Sequence, residues 1–444
     1  MTATTVGTRE APRSDRERSS GILTGPLLAL VVATVSVVVA FAWGDALLTA
    51  GTRLQLRFPP FDGVQEWHGR TATLPAVAVA AFVVVAFVPS AERMSWRALL
   101  AATAGLGVAW AVALARIEGP GALTMPLLHG QYLTTVPRVG APLAFLSHFT
   151  DRITTYNIHT QGHPPGMVML QWALDRLGFA GVRWNAALVI SGGALANVVA
   201  LVAVRTVAGT VVARRAAPFL VLAPAAIWWS AGDAFFALVT AAAVGAMVAA
   251  LYAPARRADR FAALGGLLFA ATALLSYGLI LMAAIPVAVA WSRRRVRPLV
   301  VASAVAVAVL LVVAALTGFA WWEGLAVTRT RYFAGVASRR PYDYFLVANL
   351  AVLAVAVGPA AVAGLGRLRD SAVAPLVGGA LLAVGLADLS GMSKGEVERI
   401  WIPFVPFLVV AAVTVARRAA ARRVWLTTQA MLALVVATGI RSKW

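Results

Sequence analysis

The sequence predicts an all-α, polytopic membrane protein with about thirteen transmembrane helices. Two observations lead to this prediction. First, 60% of the 444 residues are hydrophobic and only 13% are charged. Second, apolar runs of about 15 to 22 residues recur along the chain, and each is long enough to cross a hydrocarbon layer roughly 30 Å thick. Lipid provides no water to satisfy backbone groups, so these runs must cross as helices.

The chain opens with a charged segment, residues 1–20, which we expect to be a disordered cytoplasmic tail. The first apolar run, 21–43, is not followed by a small-residue cleavage site. It is therefore expected to stay in the protein as a helix rather than to be removed as a signal peptide. Residues 21–440 are predicted to form a single integral membrane domain. No cysteine is present, so neither a disulfide framework nor a thiolate metal site is expected.

Arginine clusters between the apolar runs indicate the topology, because basic residues accumulate in cytoplasmic loops. Whether the segment 164–178 crosses the membrane determines on which side all the later loops lie. It is short and carries Gln171, Asp175 and Arg176, so we predict an amphipathic juxtamembrane helix on the outer surface and not a span. The later arginine clusters then all face the cytoplasm. The predicted spans are 21–43, 73–89, 98–115, 184–204, 216–230, 233–252, 260–275, 277–291, 298–317, 345–365, 372–390, 400–416 and 424–440.

This topology gives outer loops at 44–72, 116–183, 318–344 and 390–399, and a short outer turn at 232–233 between two spans. The first two contain every histidine of the chain and several carboxylates, whereas the cytoplasmic loops hold little besides arginine. Any chemistry is therefore expected on the outer face. The net charge of +20 is spread between the apolar runs. The arginines are thus topology signals, and the predicted partner is the lipid bilayer and not nucleic acid.

The segment "YNIHTQGHPPG", residues 156–166, is unusually polar and rich in glycine and proline for so apolar a chain. Its His159 and His163 are candidate substrate ligands. They are not favoured as metal ligands, because Gly162 and Pro164 break the helix that would align the two rings. We predict no metal site and no cofactor. The proline pair is also explained as a helix start, where proline costs no hydrogen bond.

Several motifs occur in a fixed order around this segment: His163-Pro-Pro-Gly, an amphipathic stretch up to "LGFAGVRWN" (177–185), "AVRTVAGTVVARRAA", a proline-bearing span that ends in Gly232-Asp233-Ala234, and Arg399 with Pro403 and Pro406. This order resembles the membrane glycosyltransferases of the GT-C superfamily, and more narrowly the protein mannosyltransferase and aminoarabinose transferase branch. Two features depart from that branch. Glu118 stands alone where the branch carries an acidic pair, and two spans precede the helix that would be the first of the family.

The resemblance implies transfer of a sugar from a polyprenyl-phosphate donor to a cell-envelope glycan, glycolipid or protein acceptor on the extracytoplasmic face. One carboxylate must then act as general base on the acceptor hydroxyl. The candidate catalytic residues are Glu118, Asp62 with its neighbour Glu66, and Asp151, each of which could instead be a solvated loop carboxylate. Glu118 is favoured because it follows the third span and precedes a turn at 119–121, which would hold it near the membrane surface.

The leaving phosphate requires positive charge, which arginine supplies with a bidentate fork. Arg399 precedes the span at 400, where a helix N-terminus adds partial positive charge, and Arg331 lies in an aromatic-rich outer loop. Together with His159, His163 and Asp233 they form the predicted substrate-binding set. Asp233 could instead be only an N-cap, and Arg399 could form a local surface salt bridge with the glutamates at 396 and 398.

The alternative function is a transporter or flippase for a lipid-linked envelope precursor. Transporters carry ionisable residues at mid-membrane depth between helices, and the predicted spans hold almost none. This difference favours chemistry at the outer surface. The alanine-rich composition, with arginine far above lysine, indicates a bacterial plasma membrane with the active face outside.

Overall fold

The computed structural model describes residues 15–67, 69–128 and 131–443. Within these residues the chain is helical almost throughout, which confirms the predicted all-α class. The α-helices are Asp15–Thr49, Leu74–Phe82, Val88–Ala91, Trp96–Ala115, Met125–Leu128, Pro142–Ser147, Ile158–Gly162, Gly166–Arg176, Val182–Ala208, Thr210–Val221, Asp233–Tyr252, Ala255–Leu275, Ala284–Arg293, Arg297–Thr317, Trp321–Ala334, Tyr342–Val357, Pro359–Leu365, Ala374–Leu389, Val397–Ile400, Val405–Val409 and Ala419–Gly439.

Two short strands are described, β1 (Gly63–Gln65) and β2 (Ile440–Ser442). They pair antiparallel, with Gly63 opposite Ser442. The pair joins the first predicted outer loop to the residues that follow the last predicted span.

Eight helices within the described residues are long and apolar enough to cross a membrane. A polytopic membrane protein is therefore confirmed, but the predicted number of thirteen spans is not. A ninth is obtained if Tyr342–Val357 and Pro359–Leu365, which are bent by 113°, form one broken span. The eight are Thr24–Thr49, Thr71–Ala91, Trp96–Glu118, Val182–Ala208, Asp233–Tyr252, Ala255–Leu275, Arg297–Thr317 and Val397–Thr414.

The remaining predicted spans are not among these eight helices, and each has a local reason. Those at 277–291 and 372–390 are shorter apolar helices, Tyr277–Arg293 and Ala374–Leu389. The predicted span at 216–230 is interrupted, because helix Thr210–Val221 ends before Pro224, which cannot donate a backbone hydrogen bond. The run at 424–440 lies in helix Ala419–Gly439, whose first turns carry Arg422 and Arg423 and are not apolar.

Close helix crossings build the core. Helices Val182–Ala208 and Asp233–Tyr252 pack along much of their length. A Cβ built on Gly192 would lie 2.8 Å from the Cα of Phe235, so only glycine permits this approach. In contrast, helices Arg297–Thr317 and Thr24–Thr49 are hardly buried. Their apolar side chains are therefore left for lipid.

Arginines of two of the predicted clusters meet at one end of the helices. Three of these arginines contact the short loop 91–96: Arg205 lies over the ring of Trp96 at 4.4 Å, Arg214 donates to the carbonyls of Ala91 and Met94 at 2.7 Å each, and Arg422 pairs with Glu92. Helix Trp96–Ala115 starts at this loop and leads to Glu118 at its other end. The candidate carboxylate thus lies at the end of the bundle opposite these arginines.

A helix is present where the amphipathic segment 164–178 was predicted. It spans Gly166–Arg176, with Met167 and Gln171 buried against the protein and Asp175 exposed. Asn157 begins the preceding short helix, because its side chain accepts a hydrogen bond from the Thr160 N–H at 3.0 Å.

Candidate functional site

Glu118 is the last residue of the apolar span Trp96–Glu118. A single 3₁₀ turn, Arg116–Glu118, follows helix Trp96–Ala115, and Gly119 at φ +117° reverses the chain. This turn agrees with the one that the glycines at 119 and 121 predict. The Glu118 carboxylate is held in place, because its Oε1 accepts a hydrogen bond from the Ser442 N–H at 3.0 Å.

Asp62 lies in the loop between the first two apolar helices and is only 4% exposed. Its backbone N–H donates to Oε1 of Glu398 at 3.2 Å, and its carboxylate lies 3.6 Å from Nζ of Lys443. Burial raises the pKa of the Asp62 carboxyl, and the nearby Glu396 adds to the rise, while Lys443 and two arginines oppose it.

One cavity brings Asp62 and Glu118 together. Its volume is about 680 Å³, which is sufficient for a sugar and a phosphate. We call it the carboxylate cavity. Its charged lining consists of the carboxylates Asp62, Glu66 and Glu118 and the cations Arg57, Arg441 and Lys443. The two candidate bases, from different predicted outer loops, therefore face the same space, which the sequence did not predict.

A buried ionic cluster lies next to this cavity, consisting of Asp233, Arg340, Glu396 and Arg399. The guanidinium of Arg399 binds the carboxylate of Asp233 at 3.0 Å and that of Glu396 at 2.6 Å. Arg340 approaches the other oxygen of Glu396 at 3.6 Å. Arg399 is thus engaged by two carboxylates and is 4% exposed. The cluster connects the start of helix Asp233–Tyr252 to the loop before Val397.

Arg340 extends the ionic cluster to the loop that carries Asp62. Its Nε donates to the carbonyl of Leu54 at 2.8 Å, and its Nη1 donates to the carbonyl of Lys394. The Lys394 ammonium in turn donates to the carbonyl of Ala337 at 2.9 Å. Three separate segments, all predicted to lie outside, are therefore held to one another beside the cavity.

Glu396 stays ionised in these surroundings. Burial alone would raise its pKa, but Arg399 and Arg340 outweigh this effect and lower it to about 2. The residue has φ +60°, a left-handed conformation that is uncommon for a residue other than glycine. The salt bridges to the two arginines stabilise this conformation.

The histidine segment contacts the ionic cluster from the other side. The His163 ring packs edge-on against Tyr132 with 5.4 Å between ring centroids, and its Nδ1 donates to the carbonyl of His159 at 3.0 Å. Burial lowers the pKa of His163, although Asp233 opposes the change. His163 is thus kept mostly neutral. Neither histidine is among the residues that line the carboxylate cavity.

Tyr132 lies between His163 and the buried ions. Burial raises its pKa well above the usual value, and the charge of Asp233 adds to this shift. Its hydroxyl is buried and has no hydrogen-bond partner among the described residues. The amide nitrogen of Gln131 donates to Nε2 of His159 at 3.4 Å. The Gln131 amide and the backbone carbonyl of His159 therefore contact the two imidazole rings.

Two predicted site residues lie elsewhere. Asp151 is exposed in a turn and does not line the carboxylate cavity. Arg331 donates from Nη1 to Oε1 of Gln161 at 2.6 Å, so it contacts the histidine segment instead. Burial lowers the pKa of Arg331. Two of the chain's histidines, at 68 and 129, fall outside the described residues.

The cations of the carboxylate cavity were not among the predicted site residues. Arg441 and Lys443 follow the last apolar run in "GIRSKW", and Arg57 lies in "LRFPPFD". A signal was present, since these are basic residues on the predicted outer side, where basic residues are sparse. Glu398 was also missed as the residue that holds Asp62.

No family model, no curated protein and no solved structure matches this chain. In addition, the described residues contain no group of three or more His, Asp or Glu side chains that could hold a metal ion.

Proposed function

We propose that the protein is a glycosyltransferase of the extracytoplasmic face of a bacterial plasma membrane, which transfers a sugar from a polyprenyl-phosphate donor to an envelope acceptor. One observation carries the proposal: Asp62 and Glu118, from separate outer loops, line a single cavity together with three cations. Sugar transfer from a phosphate requires both kinds of group. A carboxylate takes the acceptor proton, and cations stabilise the leaving phosphate.

Asp62 is the general base in this proposal. The acceptor hydroxyl oxygen attacks the anomeric carbon and forms the new glycosidic bond. Its proton passes to the carboxylate of Asp62. The bond from the anomeric carbon to the phosphate oxygen breaks, and its electron pair stays on the polyprenyl phosphate that leaves.

The surroundings favour Asp62 over Glu118 as base. A general base works best when its pKa approaches the operating pH, and burial moves the pKa of Asp62 in that direction. The backbone of Asp62 is fixed by Glu398, so its position in the cavity is defined. Glu118 accepts a hydrogen bond from the Ser442 N–H, and we assign it a structural role in the lining of the cavity.

The phosphate contact is assigned to the cations of the carboxylate cavity. Arg399, which the sequence favoured, is buried between Asp233 and Glu396. Binding a phosphate there would require breaking two close ion pairs of a buried arginine, which is costly. In the proposal Arg399 holds the site together, and His159 and His163 support its other side.

The proposal is tested with the purified full chain in liposomes that contain short-chain polyprenyl-phosphate sugars and a mixture of simple glycoside acceptors. We expect release of polyprenyl phosphate that depends on the acceptor, measured by chromatography of the lipid. Movement of intact donor lipid across the bilayer without any release would support the transporter and overturn the proposal.

A further inference from the structure

Three consecutive residues, the last two of β2 and the residue that follows it, each contact a carboxylate of the cavity. Arg441 Nη1 lies 3.0 Å from Glu66 Oε2, Ser442 N lies 3.0 Å from Glu118 Oε1, and Lys443 Nζ lies 3.6 Å from Asp62 Oδ2. Every carboxylate that lines the cavity therefore has a partner on this segment, which we call the cationic strand (440–443).

The strand pairing produces this arrangement. Because Gly63 is opposite Ser442, the neighbouring Asp62 is brought beside Lys443. A Cβ on Gly63 would lie 2.6 Å from the carbonyl oxygen of Arg441, so the close approach of the strands requires glycine here. Arg441 and Lys443 both line the cavity. Two cations are thus presented together to the cavity.

These ion pairs are suited to exchange. The side chains of Arg441 and Lys443 are 59% and 49% exposed. The pair of Arg441 with Glu66 is exposed on both sides and therefore weak, and the pair of Lys443 with Asp62 is long, at 3.6 Å. The carboxylate of Asp62, in contrast, is 5% exposed. Only the cations can therefore turn toward a new anion without moving the backbone around Asp62.

We infer that Arg441 and Lys443 form the phosphate subsite of the carboxylate cavity, and that the donor phosphate replaces Glu66 and Asp62 as their partner. The inference rests on the proposed function for the identity of the donor. A phosphate oxygen accepts hydrogen bonds from both cations, since arginine and lysine are the usual phosphate-binding side chains.

The exchange of ion-pair partners also changes the strength of Asp62 as a base. In the free protein Lys443 stabilises the ionised form of this carboxylate and weakens it as a base. When the phosphate takes Lys443 away, the proton affinity of Asp62 rises. The base is therefore strengthened only when a donor is present. The groups that still face Asp62 are Glu396, Glu398, Arg340 and Arg57.

The subsite is tested by measuring binding of farnesyl phosphate to the purified full chain, with farnesol and inorganic phosphate as separate probes. We expect farnesyl phosphate to bind more tightly than farnesol. Lys443→Gln and Arg441→Gln should each weaken its binding roughly tenfold while leaving farnesol unchanged. The matched control is Arg183→Gln, an exposed arginine outside the cavity, which should bind as the wild-type protein does. Inorganic phosphate that binds as tightly as farnesyl phosphate would identify a free-phosphate site and overturn the donor assignment.

A second variant distinguishes exchange of the Lys443 ion-pair partner from simple attraction between the phosphate and the two cations. Asp62→Asn removes the resident partner of Lys443 without changing shape, so it should bind farnesyl phosphate several-fold more tightly. In Asp62→Asn/Lys443→Gln this gain should disappear. Unchanged binding in Lys443→Gln, or no gain in Asp62→Asn, overturns the inference.

Failure of this inference is distinguishable from failure of the proposed function. If sugar transfer occurs but the strand variants bind farnesyl phosphate normally, the transferase stands and the subsite is wrong. If the binding changes follow the expected pattern but no sugar is transferred, the phosphate subsite stands and the transferase is wrong.

Discussion

Arg399 illustrates how the role of one residue changes between sequence and fold. In the sequence it is an outer arginine at the start of a proline-containing span, which favours a phosphate contact. In the structure it bonds to Glu396 three residues away and to Asp233, which is 166 residues away. The i, i+3 salt bridge was foreseeable from spacing. The pairing with Asp233 was not, because it depends on which helices become neighbours.

Glu396 yields a prediction about acid stability. Its folded-state pKa of about 2 is below its ordinary value of 4.5. The stabilisation is therefore fully present above the ordinary pKa and is lost as the pH falls toward about 2. Glu396→Gln should lower the free energy of unfolding by about 3 kcal/mol at neutral pH, because two buried arginines lose a partner.

The measurement is the melting temperature of both proteins in detergent from about pH 6 down to about pH 2.5. The difference between them should shrink as the pH falls through this window. Glu323→Gln, which changes an exposed glutamate, is the control and should follow the wild-type protein throughout. A difference that is independent of pH would contradict the assigned ionisation of Glu396.

Among the elements, the long apolar helices were the most predictable. The helices Trp96–Ala115, Val182–Ala208, Asp233–Tyr252 and Arg297–Thr317 lie close to their predicted spans. Broken segments such as 216–230 and 345–365 were predicted as continuous, because hydropathy does not record where a buried helix bends. The strand pair was also missed. Three-residue strands carry too little periodicity to be recognised.

Helix packing yields a second prediction. Gly192→Val should destabilise the protein by about 1–3 kcal/mol, since its side chain would collide with the backbone of helix Asp233–Tyr252. Gly105→Val is the matched control, because Gly105 faces open space on its helix. Thermal unfolding in detergent should separate the two variants. Equal melting temperatures would show that the helices approach less closely than described here.

For the whole molecule, topology could be argued from sequence but the site could not. The contacts of Arg205, Arg214 and Arg422 with one loop place two of the predicted arginine clusters at the same end of the helices. The carboxylate cavity, in contrast, combines residues from three distant parts of the chain, near 57–66, near 118 and at 441–443. No local pattern in an apolar sequence indicates that such segments converge.

The most direct test of the carboxylate cavity as a transfer site is the initial rate of sugar transfer by Asp62→Asn. Asparagine keeps the shape of the side chain but cannot take a proton, so the rate should fall about a thousandfold, while the protein stays folded and still binds farnesyl phosphate. Glu118→Gln should transfer at a rate much closer to that of the wild-type protein, because an amide oxygen can still accept from the Ser442 N–H. Wild-type rates in both variants would show that sugar transfer does not take place in this cavity.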